Sequence, residues 1–497
     1  MSELEGRLRA VCDLIVAEVR EAAGRHEYDG EVQDLSPDGV RAGVAALGTG
    51  SLPQDAYDAA HLQVFEQALK VSFGDLELHR SNLLDHLGNL DAACYDREYA
   101  PEAERAEARR SHLARWPEAI DGSIASLDRL SAPVATALLG ATRGLAAGVT
   151  DEAALKAHAR LVGHVERAAK EGAPEAALGG EALAALMSAG DGLPVDLGRL
   201  AERADAERDR LLARLADACA RYGRPAEPPL DVARELVRDH PDADGVIDTA
   251  RHWTEKAIAF TRERDLVPYH DGECRVGLAP ESRRWAMAMM SWASPGEPEG
   301  PSWYHITPPD PSWPERDAEE WLEVFSATTL PGITVHEVAP GHFSHGRALR
   351  QAPTDVRRIL QSSAFIEGWA HYAEELCVEE GFEAGDPRFE IGVWLEALVR
   401  VTRLACAIGV HTGAMTVRDG AARFAADTHL AGPAALAEAG RATYDPTYGR
   451  YTWGKLAIMD LREEAKAAWG TGFTLQRFHK AMLDLGSPPL GLLDRVL

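Results

Sequence analysis

Long segments rich in Ala, Leu, Glu and Arg, with apolar residues three and four positions apart, fill the first half of this 497-residue chain. These residue types favour helices, and the spacing places the apolar side chains on one helix face. The clearest examples are residues 102–116, 123–149 and 197–222. Alternation of apolar and polar residues, which is typical of strands, is almost absent. We therefore expect a mainly α protein, built as a large single helical body with a deep cleft.

Two stretches rich in proline and glycine, at residues 223–230 and 294–314, interrupt the helical pattern. Neither stretch can continue a regular helix. They suggest a soft boundary near residue 240, between an N-terminal helical region (1–240) and a second helical region (241–497) that carries the motifs described below. The helical pattern resumes after each break, which favours one body over two independent domains.

A short strand is predicted within the second of these stretches, at residues 302–307 (SWYHIT). Aromatic and β-branched residues favour a pleated, half-buried strand. We expect at most a small sheet or an edge strand near residues 300–310. Trp303, Tyr304 and His305 could form the edge of a cleft that binds an extended peptide, or they could pack as core aromatics.

The charge of the chain restricts its partners. There are 52 Lys and Arg residues against 79 Asp and Glu residues, a formal net charge of −27. Such a field repels nucleic-acid phosphates and anionic lipid headgroups. A run of about 18 apolar residues, which a membrane-spanning helix requires, is absent. We expect neither a nucleic-acid partner nor a membrane partner.

The N-terminus and the cysteines point to the cytoplasm. Residues 1–24 are charged throughout and have apolar residues at helical spacing, so an amphipathic helix is expected rather than a signal peptide. The six cysteines are scattered and form no metal-binding or disulfide pattern. They are expected to be mostly buried thiols in a reducing compartment, and a cytoplasmic location is the default.

The segment TVHEVAPGH, residues 334–342, holds two histidines and a carboxylate. In the zinc-binding motif HExxH the histidines share one helix face, whereas His336 and His342 are separated by about 240° on an ideal helix. Pro340 removes a helical amide and Gly341 accepts unusual dihedral angles, so this pair can break the helix and return His342 toward His336. The alternative is a helix that simply ends here and carries two ordinary surface histidines.

A second predicted helix contains FIEGWAHYAEE, residues 365–375, in which Glu367 and His371 lie one turn apart. Catalytic zinc sites commonly use two histidines and a carboxylate and leave one position for water. Glu367 is therefore a candidate third ligand, beside His336 and His342, for one zinc ion per chain. Taken alone, it would be an ordinary solvated helix residue.

These strings resemble the bacterial domain-of-unknown-function family 885, which is similar to gluzincin-type metallopeptidases. The resemblance covers most of residues 300–470. It rests on HEVAPGH, EGWAHYAEEL, RVTRL, GVH and YTWGK, at residues 336–342, 367–376, 400–404, 409–411 and 451–455. It implies a metallopeptidase-like helical fold with the zinc ligands His336, His342 and Glu367.

Three positions depart from the family pattern. His345 replaces a usual glutamine, His371 replaces a usual aliphatic residue, and the usual lead-in to the tyrosine motif is missing around Tyr448. All three lie where substrate contacts are expected, and they allow a narrower or altered reaction. One of the two extra histidines could join or support the metal shell, or both could line the substrate pocket. We favour the pocket, because a fourth protein ligand would close the position that water needs.

The implied chemistry is hydrolysis. Zinc lowers the pKa of its water to about 7 and polarises a carbonyl group, and Glu337, next to a ligand, is the natural general base. The resemblance points to Tyr451 and His411 as donors to the oxyanion. The alternatives for these two are a core tyrosine and a buried histidine bonded to backbone.

Arg400 and Arg403 lie three positions apart on an otherwise apolar helix. A buried guanidinium is costly unless it meets a carboxylate. Either the two arginines pair with protein acids, or they bind the terminal carboxylate of a peptide or amino acid. We favour an ion pair for Arg400 and substrate binding for Arg403.

A zinc-dependent hydrolase that cleaves a peptide or amide bond is the leading interpretation, with a peptide or a small amino-acid derivative as substrate. A second class is a metal-dependent tailoring enzyme that acts on a small amino-acid derivative in a biosynthetic pathway. A third is a helical binding protein that has kept these motifs without turnover. The sequence contains no dinucleotide-binding glycine motif after a strand, no phosphate loop and no serine elbow.

Overall fold

The computed structural model describes residues 4, 6–280, 283, 284, 286–297 and 300–497. This part of the chain is mainly α-helical with one small sheet, as predicted. Its helices are α1 (Gly6–Cys12), α2 (Val16–Ala22), α3 (Pro37–Ala46), α4 (Ala56–Leu69), α5 (Leu83–Leu90), α6 (Glu102–Ser126), α7 (Ala132–Gly144), α8 (Glu152–Glu171), α9 (Gly180–Asp191), α10 (Leu197–Arg221), α11 (Pro229–Leu236), α12 (Val246–Glu263), α13 (Glu315–Leu322), α14 (Leu330–Glu337), α15 (His342–Leu349), α16 (Asp355–Ile359), α17 (Ser363–Glu379), α18 (Pro387–His411), α19 (Val417–Asp427), α20 (Gly432–Arg441), α21 (Arg450–Trp469) and α22 (Leu475–Leu483).

Of the three clearest helical segments in the sequence, two are confirmed as helices, α6 and α10. The helix predicted over residues 123–149 is wrong, because α6 ends at Ser126 and α7 starts a new helix. Pro133 lies in the first turn of α7, where its missing amide costs no hydrogen bond.

The single amphipathic helix predicted over residues 1–24 is also wrong in the part that the structure describes. Two short helices, α1 and α2, replace it. The helix is interrupted over residues 13–15, where Ile15 has dihedral angles outside the helical region (φ −139°, ψ 44°). Within this turn the hydroxyl of Tyr28 donates a hydrogen bond to Asp13. Residues 1–3 and 5 lie outside the described part of the chain.

The small sheet contains β1 (Cys274–Leu278), β2 (Ala288–Ser291) and β3 (Ser302–Ile306). The strand predicted near residues 302–307 is thereby confirmed as β3. It is the central strand, however, parallel to β1 on one side and antiparallel to β2 on the other. Of the two alternatives for Trp303 to His305, the edge of a cleft for an extended peptide is therefore wrong, because both edges of β3 are already paired.

The largest core joins helices from both sides of residue 240. Leu211 and Leu215 of α10 are fully buried in the same cluster as Leu395 and Leu398 of α18. All six cysteines are free, and all except Cys274 are buried, as expected for structural thiols. In the described residues, no helix has both the length and the apolar character needed to cross a membrane.

Candidate metal centre

Helix α14 brings the first histidine of the HEVAPGH motif into the interior. All eight of its residues are buried, and it ends at Glu337. A new helix, α15, begins at His342. The predicted break between the two histidines is thus confirmed, and it places the His336 and His342 rings edge to face with their centroids 4.7 Å apart.

The turn between α14 and α15 depends on a glycine and on a tryptophan from another helix. A Cβ atom on Gly341 would lie only 2.0 Å from the carbonyl oxygen of His336, so no other residue fits this position without a shift of backbone. The indole of Trp369, on α17, donates to the carbonyl oxygens of Pro340 (3.0 Å) and Gly341 (3.2 Å). The EGWA motif therefore holds the turn that positions His342.

Helix α17 adds Glu367 to the two histidines. One carboxylate oxygen of Glu367, Oε2, lies 3.5 Å from Nε2 of His336 and 3.5 Å from Nε2 of His342. The donor atoms of the three residues all lie within 4.8 Å of one another. The side chain of Glu367 is 24% exposed, so this group opens toward solvent.

The separations of the three donor atoms suit binding to a common zinc ion better than hydrogen bonding between the side chains. A charged hydrogen bond between an imidazole and a carboxylate is typically about 2.7 to 2.9 Å long. Two ligand atoms of a tetrahedral zinc ion, each about 2.0 to 2.1 Å from the metal, are instead roughly 3.3 Å apart. The two separations of 3.5 Å are close to this value. Two histidines and one carboxylate also match a catalytic zinc site that keeps a position for water.

Glu374, which the sequence reasoning missed, orients one of these histidines. Its Oε1 accepts a hydrogen bond of 2.6 Å from Nδ1 of His336. Burial alone would raise the pKa of Glu374, but Arg400 and the two histidines hold it well below its ordinary value, so Glu374 is a carboxylate. This hydrogen bond turns Nδ1 of His336 toward Glu374 and Nε2 toward Glu367. Metal-binding histidines are commonly oriented in this way, with the nitrogen that does not bind the metal held by a carboxylate.

Glu374 also binds His371 and Arg400. Nδ1 of His371 lies 3.1 Å from its Oε2, and Arg400 lies 3.4 Å from its Oε1. The preference for His371 as a pocket residue is therefore wrong, since the ring is buried and contacts a partner of His336. Arg400 makes a second ion pair with Glu396 (3.3 Å), which agrees with the favoured ion-pair interpretation and leaves no support for substrate binding by Arg400.

Tyr451 reaches the group because α17 and α21 cross with their backbones in contact. A Cβ atom on Gly454 would lie 1.9 Å from the carbonyl oxygen of Ala364, and one on Gly368 would lie 2.5 Å from Gly454. The ring of Tyr451 stacks on the ring of His336, with 6.4 Å between the ring centroids. Burial, followed by the Glu367 charge, raises the pKa of Tyr451, so its hydroxyl keeps its proton at neutral pH.

Glu337 is the acidic residue of this group whose carboxylate makes no hydrogen bond or ion pair with the described residues. It is the last residue of α14 and is 9% exposed. Among the described residues, none hydrogen-bonds to its carboxylate or forms an ion pair with it. Glu367 and Glu374 are both engaged with histidines, so Glu337 is the carboxylate left free to take a proton.

Three other predicted site residues have different roles. Both ring nitrogens of His411 meet backbone groups, the carbonyl of Ala442 (2.9 Å) and the amide of Leu178 (3.0 Å). His411 is thus a structural buried histidine and not an oxyanion donor, because neither nitrogen is available. Arg403 makes a two-pronged ion pair with Glu438, 2.7 Å at each contact, so the fork predicted to hold a substrate carboxylate is already filled.

His345 is the third predicted site residue with a different role. It is fully buried, and Nε2 lies 3.0 Å from the hydroxyl of Ser487 and 3.3 Å from the carbonyl oxygen of Gly486. Its ring packs edge to face on Phe365. The prediction that His345 lines a substrate pocket is wrong, because the chain's C-terminal segment covers it.

The signal for Glu374 was present in the sequence. It lies seven positions after Glu367 and three after His371, so the three side chains share one face of α17. A second carboxylate on the face that carries a candidate ligand is what a histidine-orienting partner requires. The neighbouring Glu375 points to a different partner, Lys455, at 2.5 Å.

Comparison with known proteins gives a family and a fold. The family model described as "Bacterial protein of unknown function (DUF885)" matches residues 18–497. None of the curated proteins matches the chain significantly. A solved structure of a candidate lipoprotein of unknown function from Shewanella oneidensis is similar, with a TM-score of 0.77 and 19% identity over 98% of each chain. A candidate lipoprotein from Colwellia psychrerythraea is similar too, with a TM-score of 0.78, 16% identity, and coverage of 98% of this chain and 96% of that one.

Proposed function

This chain belongs to DUF885, a family of bacterial proteins of unknown function, and from that premise we propose that it is a zinc-dependent hydrolase of a peptide or amide bond. A relation to gluzincin-type metallopeptidases is part of the proposal. The observation that supports it most is the approach of two imidazole Nε2 atoms to one oxygen of Glu367, each at 3.5 Å. His336, His342 and Glu367 would hold the ion.

A bound zinc ion supplies Lewis acidity, which activates water at neutral pH and polarises a carbonyl group. Glu337 is the unpaired carboxylate next to His336, and it accepts the proton of the attacking water and delivers it to the leaving nitrogen. Tyr451, whose hydroxyl keeps its proton at neutral pH, donates a hydrogen bond to the oxyanion that forms on the carbonyl. Glu374 keeps His336 in the tautomer that leaves Nε2 free.

The surroundings of these groups also favour hydrolysis over simple ligand binding. A binding protein gains nothing from an unpaired carboxylate 9% exposed beside two imidazoles, since an unpaired buried charge is costly. A general base requires such a group, because a carboxylate already held by an arginine would be a weak proton acceptor.

The experiment that tests the proposal compares wild type with Glu337→Gln on a panel of short peptides and amino-acid amides. The amide side chain keeps the size of the carboxylate but cannot take a proton. We expect wild type to release free amines from at least one panel member, and the variant to retain its zinc while losing at least about 100-fold in rate. An active Glu337→Gln enzyme would show that another group is the base, and an inactive wild type with zinc bound would contradict the proposed reaction.

A further inference from the structure

A cavity of about 190 Å³ lies against the small sheet, on the face of β3 opposite the metal centre. Side chains alternate between the two faces of a strand. Tyr304 points toward α14, where its hydroxyl lies 3.4 Å from the hydroxyl of Thr334. Its neighbours Trp303 and His305 line the cavity on the other face, with their rings stacked 5.6 Å apart. Strand β3 therefore separates this cavity from His336 and its partners.

One wall of the cavity contains a buried arginine, and only some of its N–H groups have a hydrogen-bond partner among the described residues. Arg283 is 8% exposed, and its Nη1 pairs with Glu21 of α2. Within the described part of the chain, its Nε and Nη2 are buried without a hydrogen-bond partner. These two N–H groups form one edge of the guanidinium plane, the edge that binds both oxygens of a carboxylate. A buried N–H group without an acceptor destabilises the fold, so a ligand that supplies an acceptor at this edge would be stabilising.

His305 adds a second unpaired polar atom. The residue is 8% exposed, and its Nδ1 is buried with no partner among the described residues. Burial lowers the pKa of His305 to about 4, with Arg283 contributing in the same direction, so the ring is neutral at pH 7. A neutral imidazole can accept a hydrogen bond from an amino group.

The remaining lining carries charges of both signs. Arg97 lines the cavity together with Asp96, Glu98 and Glu297, and Arg97 forms an ion pair with Glu297. A ligand that carries both charges suits such a lining better than a ligand of a single sign. Leu278, also in the lining, is 53% exposed, and an apolar side chain so exposed offers a surface for apolar ligand atoms. The volume is below the roughly 300 to 1,000 Å³ of drug-sized pockets, which restricts the ligand to a small molecule.

We propose that this cavity binds a free α-amino acid with an apolar side chain. The ligand carboxylate accepts from the unpaired Nε and Nη2 of Arg283, and the ammonium group donates to Nδ1 of His305. The apolar side chain contacts Leu278 and Trp303. The site needs no metal and does not depend on the proposed hydrolysis.

Isothermal titration of the full-length protein with L-leucine tests this site. We expect saturable binding of one leucine per chain. The two matched probes, 4-methylpentanoate without the amino group and 3-methylbutylamine without the carboxylate, should each bind at least about 10-fold more weakly, because each leaves one half of the polar site unfilled.

Two variants locate the binding. Arg283→Lys keeps the charge beside Glu21 but loses the two-pronged edge, and should weaken leucine binding at least about 10-fold. Ser291→Leu, at a half-buried lining position opposite Trp303 in the strand pairing, fills the cavity without touching Arg283 and should abolish binding. The control is Arg284→Lys, at the adjacent exposed arginine, which should bind leucine like wild type.

Three results would overturn the inference. The first is no saturable binding of L-leucine by wild type up to about 10 mM, a concentration that detects even weak affinity. The second is unchanged binding in both Arg283→Lys and Ser291→Leu. The third is loss of leucine binding in His336→Ala, which would place the amino acid at the metal centre instead. Unchanged leucine binding in His336→Ala supports a separate site even if the proposed hydrolysis fails.

Discussion

Glu374 accepts a hydrogen bond of 2.6 Å from Nδ1 of His336, and this contact decides which nitrogen of that imidazole faces Glu367. The two residues are 38 positions apart in the chain. Both are buried, so the contact is protected from water and joins α14 to α17. The orientation of a candidate metal ligand thus depends on a residue that does not itself touch the metal position.

Glu374→Gln should weaken zinc binding by about 10- to 100-fold, the usual effect of losing a partner that orients a ligand. The amide keeps the shape but no longer supplies a negative charge to His336. Competition with a fluorescent chelator measures the change. Glu375→Gln is the matched control, since Glu375 pairs with Arg210 and Lys455 and should leave the zinc affinity within about 3-fold of wild type. A larger loss in the control than in Glu374→Gln would contradict this role.

Gly454→Ala should destabilise the fold by at least about 2 kcal/mol, because the new methyl group would overlap the Ala364 carbonyl and force α17 and α21 apart. Gly140→Ala, at an exposed position inside α7 with open space around it, should instead stabilise by about 0.5 to 1 kcal/mol. Urea unfolding followed by circular dichroism measures both variants. Equal free energies of unfolding for wild type and Gly454→Ala would show that the helices do not cross as closely as described.

Substitutions of His371 and His345 should have different effects on zinc affinity and on the free energy of unfolding. His371→Leu removes a hydrogen-bond donor of Glu374 and should lower zinc affinity several-fold, less than Glu374→Gln does. His345→Gln loses the contacts with Ser487 and Gly486 and should lower the free energy of unfolding by about 1 to 2 kcal/mol without changing zinc affinity. Chelator competition and urea unfolding on both variants distinguish these two roles. If His345→Gln lowered zinc affinity and His371→Leu lowered only the free energy of unfolding, the two assignments would have to be exchanged.

Asp191 should make stability depend on pH. Burial raises its pKa from 3.8 to about 6. The folded state therefore favours the protonated form, and this stabilisation is present below about pH 4 and is lost as the pH rises through 6. Asp191→Asn does not titrate, and its Oδ1 can accept from Ser362 and Leu490 as the carboxylate does. Between pH 4 and 6, wild type should lose up to about 3 kcal/mol relative to the variant. A difference that stays constant with pH would refute the raised pKa.

The sequence predicts the helical class and the meeting of His336, His342 and Glu367, because local rules decide both. Helical spacing marks the buried faces, and Pro340 with Gly341 marks the turn that the second histidine needs. The distances confirm the meeting of these three side chains. The glycines of EGWA and YTWGK are also visible in the sequence, but their purpose, backbone contact between α17 and α21, requires the packed structure.

The partners of buried polar residues could not be predicted, because they come from distant parts of the chain. His411 meets Leu178 of the N-terminal region, and Arg403 meets Glu438 thirty-five positions later. A buried polar group needs a partner, but sequence spacing does not say whether a protein group or a substrate provides it. The same reason explains why the position of β3 within its sheet could not be predicted, since its pairing with β1 joins segments that are not adjacent in sequence.

The central claim is that His336, His342 and Glu367 hold one zinc ion, and elemental analysis of the purified protein after zinc-replete expression tests it most directly. Wild type should contain about one zinc per chain, as expected of a three-ligand catalytic site. Glu367→Gln and His336→Ala should contain far less, while His411→Gln, at a buried histidine bonded to backbone, should keep the metal. Wild-type protein without any transition metal, or His336→Ala with as much zinc as wild type, would contradict the account.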